Sequence, residues 1–168
     1  ESSFPLPTAR RPGMLCSPMQ PPEAPMPLPI VDVVHRIEFS AAHQLLSVHL
    51  TEEENQATYG PCTRHHGHSY VLEATVRGPV SPRDGMVVNL NTLAQAMQEE
   101  VFDRVDHRFL NADVPALSHL ETFTAEALVI AFWDLLVARE EEWQPGKLHE
   151  LRLLEGSQNW VVYRGPQS

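Results

Sequence analysis

The chain has 168 residues, of which 42% are apolar and 20% are charged, as expected for one globular domain. Its formal net charge of -10 disfavours nonspecific binding to nucleic acid or anionic lipid. We expect neither a membrane span nor a signal peptide, because no long apolar run is present and the N-terminus lacks a charged start followed by an apolar segment. Nothing indicates a secreted disulfide scaffold, so we expect a cytoplasmic protein in which Cys16 and Cys62 are free thiols.

The N-terminal segment is rich in proline. Residues 1–30 contain nine of the fifteen prolines. Proline fixes the backbone φ angle and lacks an N–H donor, so such a segment sustains neither a helix nor a central strand. We therefore predict a disordered or extended tail over residues 1–30 and a globular domain over residues 31–168.

The first part of the domain predicts two strands. Residues 31–42 begin with β-branched residues and alternate in part, which favours a strand. Residues 47–60 are polar and acidic, which indicates a solvated loop or a short helix. Apolar and polar residues then alternate over residues 70–76, so a second strand is predicted to end at Gly78 and Pro79.

Two helices are predicted next, separated by a loop over residues 105–115. Asn89 or Asn91 caps the first helix. Thr122 or Thr124 opens the second helix, whose first turn carries an acidic residue that suits the helix dipole. One apolar stripe is expected on the first helix, formed by Leu90, Leu93, Ala94, Met97 and Val101.

Two final strands are predicted over residues 148–155 and 160–164, joined across residues 156–159. The element order is therefore ββααββ. Two helices on one face of a four-stranded antiparallel sheet make an α+β domain. Such a sheet has two edges that need covering, so we expect the domain to associate with further copies of itself.

Three histidines give the clearest chemical signal. His66 and His68, at i and i+2 on a strand, project from the same face about 7 Å apart. His43 ends the preceding strand. Three imidazoles can hold one zinc ion and leave its fourth position open, as in catalytic zinc sites. The sequence therefore predicts zinc at His43, His66 and His68.

Cys62 lies four residues before the histidine pair, in a loop with several potential cations. Such surroundings lower the pKa of a thiol and favour the thiolate, which can accept a proton. Alternatively, Cys62 joins the three histidines in a closed structural zinc site, which would make the protein a non-catalytic domain. A buried, unreactive Cys62 is a third interpretation.

Two acidic positions are also candidates for function. Asp106 stands beside His107 in the loop between the helices, and a carboxylate next to an imidazole is typical of a proton relay. Glu155 interrupts an apolar strand end, where a carboxylate can accept two hydrogen bonds from a guanidine-like edge. The simpler alternative in both cases is a solvated side chain.

Several of these motifs occur together in a fixed order between residues 35 and 165. The stretches concerned are Phe39–His43, Glu54–Asn55, Tyr59-Gly60-x-Cys62, His66-x-His68-x-Tyr70, Gly85–Leu90, Asp106–His107, Thr124-x-Glu126 and Glu155. In this order they resemble the family of 6-pyruvoyl-tetrahydropterin synthase and 6-carboxytetrahydropterin synthase. Residues 1–30 lie outside the resemblance.

The resemblance implies a tunnelling fold, in which trimers close their sheets into a barrel and two trimers stack. A homo-oligomer, either a trimer or a dimer of trimers, is therefore expected. It also implies zinc at the three histidines, Cys62 as the base that abstracts a proton, and Asp106 with His107 as a second proton relay. The pterin ring of the substrate is then recognised by Glu155, Thr124 and Glu126.

The implied substrate is 7,8-dihydroneopterin triphosphate, which loses triphosphate. The three-residue gap between Cys62 and His66 resembles the 6-carboxytetrahydropterin synthases of queuosine biosynthesis, whereas Glu54, Asn55 and Asn89 resemble the pyruvoyl branch. Because the gap lies inside the catalytic loop, we expect 6-carboxy-5,6,7,8-tetrahydropterin as the product, with 6-pyruvoyl-tetrahydropterin as the alternative. The spacing does not choose among four candidate triphosphate-binding residues, Arg36, Arg64, Arg77 and Arg108.

Overall fold

The computed structural model describes residues 26–166. Most of the predicted N-terminal tail, residues 1–25 with Cys16, lies outside the described residues. Ile30, assigned to the tail in the sequence analysis, is already part of the first strand. The described chain forms one four-stranded antiparallel sheet with helices on one face, which confirms the predicted α+β class.

The strands lie side by side in chain order, and their bounds are β1 Ile30–His43, β2 His66–Pro79, β3 Lys147–Glu155 and β4 Asn159–Tyr163. β1 and β2 are longer than predicted and pair along their full length, so that His43 lies opposite His66. Farther along β2, Tyr70 lies opposite Glu155 of β3. The pairing register therefore gathers four polar side chains at one end of the sheet.

A short helix, α1 (Glu52–Tyr59), fills the acidic segment between β1 and β2. The Thr51 hydroxyl accepts a hydrogen bond from the N–H of Glu54, and the Glu54 carboxylate accepts one from the N–H of Thr51. This capping box satisfies two N–H groups that a helix start leaves without partners. It explains why the segment is a helix and not a solvated loop.

The first long helix, α2 (Leu90–Met97), is capped by Asn89 and continues through a π-helical turn (Gln98–Phe102) to Val105. The prediction that Leu90 belongs to its buried stripe is wrong, because Leu90 is 51% exposed. A helical side chain covers the turn before its own position, and before Leu90 there is no turn of this helix to cover. The buried positions are Leu93, Ala96, Met97 and Val101.

The predicted loop over residues 105–115 contains a one-turn helix, α3 (Leu110–Asp113), whose Leu110 is buried in the core. The second long helix, α4 (Ala125–Val137), begins after Thr124, whose hydroxyl accepts a hydrogen bond from the N–H of Ala127. None of the helices in the described range is long and apolar enough to cross a membrane.

The core lies between the helices and one face of the sheet. Its fully buried side chains come from both layers and include Leu72, Leu93, Phe132, Leu136, Leu151 and Leu153. The opposite face of the sheet is uncovered in a single chain. There Val34 and Trp160 are 54% and 53% exposed, beside ion pairs such as Asp32 with Arg77.

Candidate functional site

The three predicted histidine ligands lie together at one end of the sheet. Their ring nitrogens are all within 4.8 Å of one another, and His43 is buried. The Nε2 atoms of His43 and His66 are 3.1 Å apart, because β1 and β2 set these residues opposite each other. His68 joins them from the same face of β2, where side chains repeat every two residues.

Backbone carbonyls fix the orientation of two of these rings. His43 Nδ1 donates to the carbonyl of Phe123 at 2.9 Å, and His66 Nδ1 donates to the carbonyl of Arg64 at 2.8 Å. A carbonyl only accepts, so both Nδ1 atoms carry a proton, and in the neutral rings both Nε2 atoms present lone pairs. Two lone pairs that face each other at 3.1 Å repel unless a cation lies between them. The histidine group therefore fits a metal ion of the kind that imidazoles bind.

Burial lowers the pKa of His43, chiefly because an imidazolium is poorly solvated there. The neutral ring is the form that ligates a metal. The burial of His43 and its hydrogen bond to Phe123 thus both prepare it for this role.

Glu155 adds a carboxylate to the edge of the histidine group. Its Oε1 atom lies 3.4 Å from Nε2 of His43 and 3.7 Å from Nε2 of His68. The Tyr70 hydroxyl donates to the same oxygen at 3.0 Å. Tyr70 is fully buried, and burial raises its pKa well above the usual value, so its hydroxyl stays protonated and remains a donor.

The sequence predicted no function for Tyr70, although Tyr70 belongs to the same motif as His66 and His68. A signal was available, because Tyr70 lies two residues after His68 and therefore projects from the same face of β2. Its contact with Glu155 could not be read from the sequence, since it depends on the pairing of β2 with β3.

A cavity of about 330 Å³ opens beside this group. The structure brings together here all three residues predicted to bind the substrate. The cavity is lined by His43, Thr124, Glu126, Glu155 and Trp160, among others. It combines a metal-ligand candidate with two carboxylates, which suits a polar ring that carries N–H donors.

The predicted proton relay lies beside a different cavity, of about 520 Å³, which is also lined by His68 and Arg108. One oxygen of Asp106 accepts from the N–H of Ser40 at 2.9 Å, and the other lies 2.7 Å from Nδ1 of His107. The Ser40 N–H is the main cause of a lowered pKa of Asp106. In one chain, therefore, Asp106 and His107 do not share a cavity with Glu155.

Cys62 is half-buried in a 3₁₀ turn (Gly60–Thr63) just before β2. Its carbonyl accepts from the N–H of Leu45 at 2.8 Å, and the neighbouring Thr63 hydroxyl donates to Gln56 at 3.0 Å. Among the residues that the structure describes, the metal-ligand group consists of the three histidines and does not include Cys62. The structure thus gives no support to a closed site with a cysteine ligand.

The fold and the site together define an α+β domain with a three-histidine metal-binding group beside a polar cavity. A family model described as 6-pyruvoyl tetrahydropterin synthase matches residues 32–166. The chain belongs to this family, as the resemblance of its motifs predicted.

Known proteins support this assignment over most of the chain. The 6-pyruvoyl tetrahydrobiopterin synthase of Dictyostelium discoideum is 41% identical over 135 residues, which cover 80% of this chain and 96% of that protein. The human protein of the same name is 37% identical over 135 residues, covering 79% and 90%. The structure of Caenorhabditis elegans 6-pyruvoyl tetrahydropterin synthase has a TM-score of 0.76 at 34% identity, covering 84% of this chain and 99% of that one.

Proposed function

We propose that this chain is a zinc-dependent lyase that converts 7,8-dihydroneopterin triphosphate into 6-pyruvoyl-tetrahydropterin with loss of triphosphate. The observation that carries the proposal is the histidine group, with two facing Nε2 lone pairs, beside a cavity that ends at Glu155. Family membership supplies the substrate class. The relatives that are 37–41% identical are named for the pyruvoyl product. They favour this alternative over the carboxy product, which the short gap between Cys62 and His66 had suggested.

Zinc is the metal proposed for His43, His66 and His68, where it would supply Lewis acidity toward the hydroxyl groups of the substrate side chain. The chain itself orients these ligands through the carbonyls of Phe123 and Arg64. Outer partners of this kind fix the tautomer and orientation of metal-binding histidines.

The cavity lined by Glu155 is proposed to bind the pterin ring. A carboxylate there can accept two hydrogen bonds from the amino group and ring N–H of a pterin. Tyr70 holds one carboxylate oxygen in place, which reduces the cost of ordering it when the ligand binds. Thr124 and Glu126 line the same cavity and provide further polar groups for the ring.

The proton transfers are assigned to Cys62 and His107. Cys62 would act as the base that accepts a proton from the substrate, in the turn that leads into the histidine pair. His107 Nδ1 is occupied by Asp106, so its Nε2 is the atom available for exchanging a proton with the substrate. His107 has a φ of 56°, an unusual value for a non-glycine residue, and its N–H is fastened to the Ser40 carbonyl at 2.6 Å. Strained backbone conformations of this kind cluster at functional sites, which supports a catalytic role for His107.

The relay and the pterin cavity lie on different sides of the histidine group in one chain. We propose that active sites are completed between copies in a homo-oligomer, a trimer or a dimer of trimers. An uncovered sheet face and two strand edges, β1 and β4, are the surfaces available for that assembly.

A product assay tests the proposed function. The zinc-loaded protein is incubated with 7,8-dihydroneopterin triphosphate, and the products are identified by mass spectrometry. We expect 6-pyruvoyl-tetrahydropterin and triphosphate, with all three side-chain carbons retained. Formation of 6-carboxy-tetrahydropterin with release of a two-carbon aldehyde would establish the carboxy alternative. Full zinc occupancy without turnover would favour a non-catalytic zinc domain.

A further inference from the structure

The proposed substrate carries a polyanionic triphosphate, whereas the protein has a net charge of -10. A local group of cations must therefore offset the repulsion at the site. The sequence offers Arg36, Arg64, Arg77 and Arg108 for this task. The choice among these four arginines rests on the proposed function. The structure distinguishes them by their ion pairs and by their distance from the histidine group.

Ion pairs occupy most of the arginines. Arg36 pairs with Glu38, and Arg77 donates to both oxygens of Asp32 at 2.6 Å. In the described range the paired arginines are Arg36, Arg77, Arg104, Arg139, Arg152 and Arg164. Within residues 26–166, the arginines and lysines that take part in none of these ion pairs are Arg64, Arg83, Arg108 and Lys147.

The backbone carbonyls of Arg64 and Arg108 both accept hydrogen bonds at the histidine end of the sheet. The Arg64 carbonyl accepts from Nδ1 of His66 at 2.8 Å. The Arg108 carbonyl accepts from the N–H of Ala42, the residue before His43, at 2.9 Å. Each arginine therefore has its backbone tied to, or next to, a candidate metal ligand.

The two arginine segments also contact each other. The rings of His65 and Phe109, which follow Arg64 and Arg108, have centroids 4.4 Å apart. Both arginine side chains are exposed, and Arg108 lines the 520 Å³ cavity together with His68 and His107. The segments that carry these two arginines thus lie side by side at the histidine end of the sheet.

The other two unpaired cations lie at the far end of the sheet. Lys147 pairs with Arg77, eleven residues along β2 from His66, which is roughly 35 Å at the rise of a strand. Arg83 lies in the turn beyond the end of β2. These two residues have the same charge and exposure but cannot reach the site in the same chain.

We infer that Arg64 and Arg108 together bind the triphosphate of the substrate. A guanidinium group matches phosphate oxygens in a bidentate geometry, and it keeps its charge at any physiological pH. The pterin ring is assigned to the cavity with Glu155, so the triphosphate end would lie beyond the histidines, on the side where the segments of Arg64 and Arg108 meet.

The test compares two fluorescent ligands, neopterin and neopterin triphosphate, which share the pterin ring and differ in the phosphates. Their affinities are measured by titration for the wild-type protein, for Arg64→Ala/Arg108→Ala and for the matched control Arg83→Ala/Lys147→Ala. Zinc content is measured in each protein, because triphosphate can chelate the metal.

The wild-type protein and the control should bind neopterin triphosphate more tightly than neopterin, with an advantage that shrinks as salt is added. The Arg64/Arg108 variant should lose between about fivefold and fiftyfold of that advantage and bind neopterin unchanged. Replacing both arginines by lysine should restore part of it.

The inference is overturned if the Arg64/Arg108 variant keeps the advantage, if it loses both ligands alike, or if the control loses the advantage equally. It is also overturned if the wild-type protein does not discriminate between the ligands. If the wild-type protein binds neither ligand, the proposed function itself fails, and this result is distinct from the others.

Discussion

The Tyr70 hydroxyl and the Glu155 carboxylate are joined by a 3.0 Å hydrogen bond between residues 85 positions apart in the chain. The bond exists because β2 and β3 set these two residues opposite each other. Tyr70 is fully buried, and its hydroxyl also lies 3.4 Å from the ring nitrogens of His43. It therefore connects the candidate pterin anchor with the candidate metal centre.

Replacing Tyr70 by Phe should weaken pterin binding without removing zinc. The ring keeps its packing, but Glu155 loses a donor, and a hydrogen bond to a charged group contributes about 1.5–3 kcal/mol. We expect roughly a tenfold loss of biopterin affinity, measured by fluorescence titration. Tyr163→Phe is the control, because Tyr163 packs on Trp133 and does not line the pterin cavity. Unchanged affinity in Tyr70→Phe would show that the hydroxyl does not hold Glu155 for the ligand.

Zinc should bind at one ion per chain and depend on the histidine group. Replacing His66 by Ala removes one of three ligands and the lone pair that faces His43, so we expect at least a hundredfold weaker zinc binding. Zinc should also raise the melting temperature of the wild-type protein, because it binds the folded state, and this gain should vanish in His66→Ala. His119→Ala, at an exposed position outside the group, is the control. Equal zinc content in the two variants would contradict the assignment.

Cys62→Ala should separate the two roles considered for this thiol. We expect turnover to fall by about two to four orders of magnitude, the usual contribution of a general base, with zinc content unchanged. Activity and bound zinc are measured on the same sample. Loss of both together would revive the closed structural site, because it would make Cys62 a metal ligand.

The protein should sediment as an oligomer of three or six chains at micromolar concentration. A single chain leaves one face of its sheet and the edges of β1 and β4 uncovered, with Val34 and Trp160 more than half exposed on that face. Burial of such apolar surface favours association. Sedimentation velocity gives the mass directly, and a monomer would contradict both the assembly and the shared active site.

Local patterns in the sequence were sufficient to predict the four strands, the two long helices and the histidine group. Alternation predicts β2, a capping side chain predicts that α2 starts at Asn89 or Asn91 and α4 at Thr122 or Thr124, of which the structure has Asn89 and Thr124, and the i, i+2 spacing predicts that His66 and His68 share a face. These features depend on residues a few positions apart, because side-chain periodicity and helix caps are set within a single strand or helix.

The remaining features depend on contacts between distant segments. The partner of Tyr70 requires the register of β3, and the exposure of Leu90 requires knowing where α2 begins relative to the core. The choice of Arg64 and Arg108 over Arg77 requires knowing that Asp32 lies across the sheet from Arg77. No spacing in a single sequence carries this information. The product is harder still to predict, because one spacing resembled the carboxy branch and other residues the pyruvoyl branch, and relatives were needed to favour the pyruvoyl alternative.

Replacing Glu155 by Gln should reduce pterin affinity while zinc stays bound. The amide has nearly the same size as the carboxylate, so packing against Tyr70 is retained. It offers one acceptor where two are needed, and its NH₂ group faces the N–H donors of the ring. The lost charge-assisted pair should cost about 1.5–3 kcal/mol, or roughly a ten- to hundredfold loss of biopterin binding.

The control for this substitution is Glu150→Gln on the same strand, where the carboxylate pairs with Arg164 and does not line the pterin cavity. It changes the net charge by the same amount, so a general electrostatic effect would appear in both variants. Zinc should remain at one ion per chain in each, because Glu155 borders the histidine group at 3.4 Å but is not one of its three ligands. Equal biopterin affinities for the wild-type protein and Glu155→Gln would mean that the carboxylate faces only solvent and Tyr70. Recognition of the ring would then have to come from Thr124 and Glu126, the other polar residues predicted for this cavity.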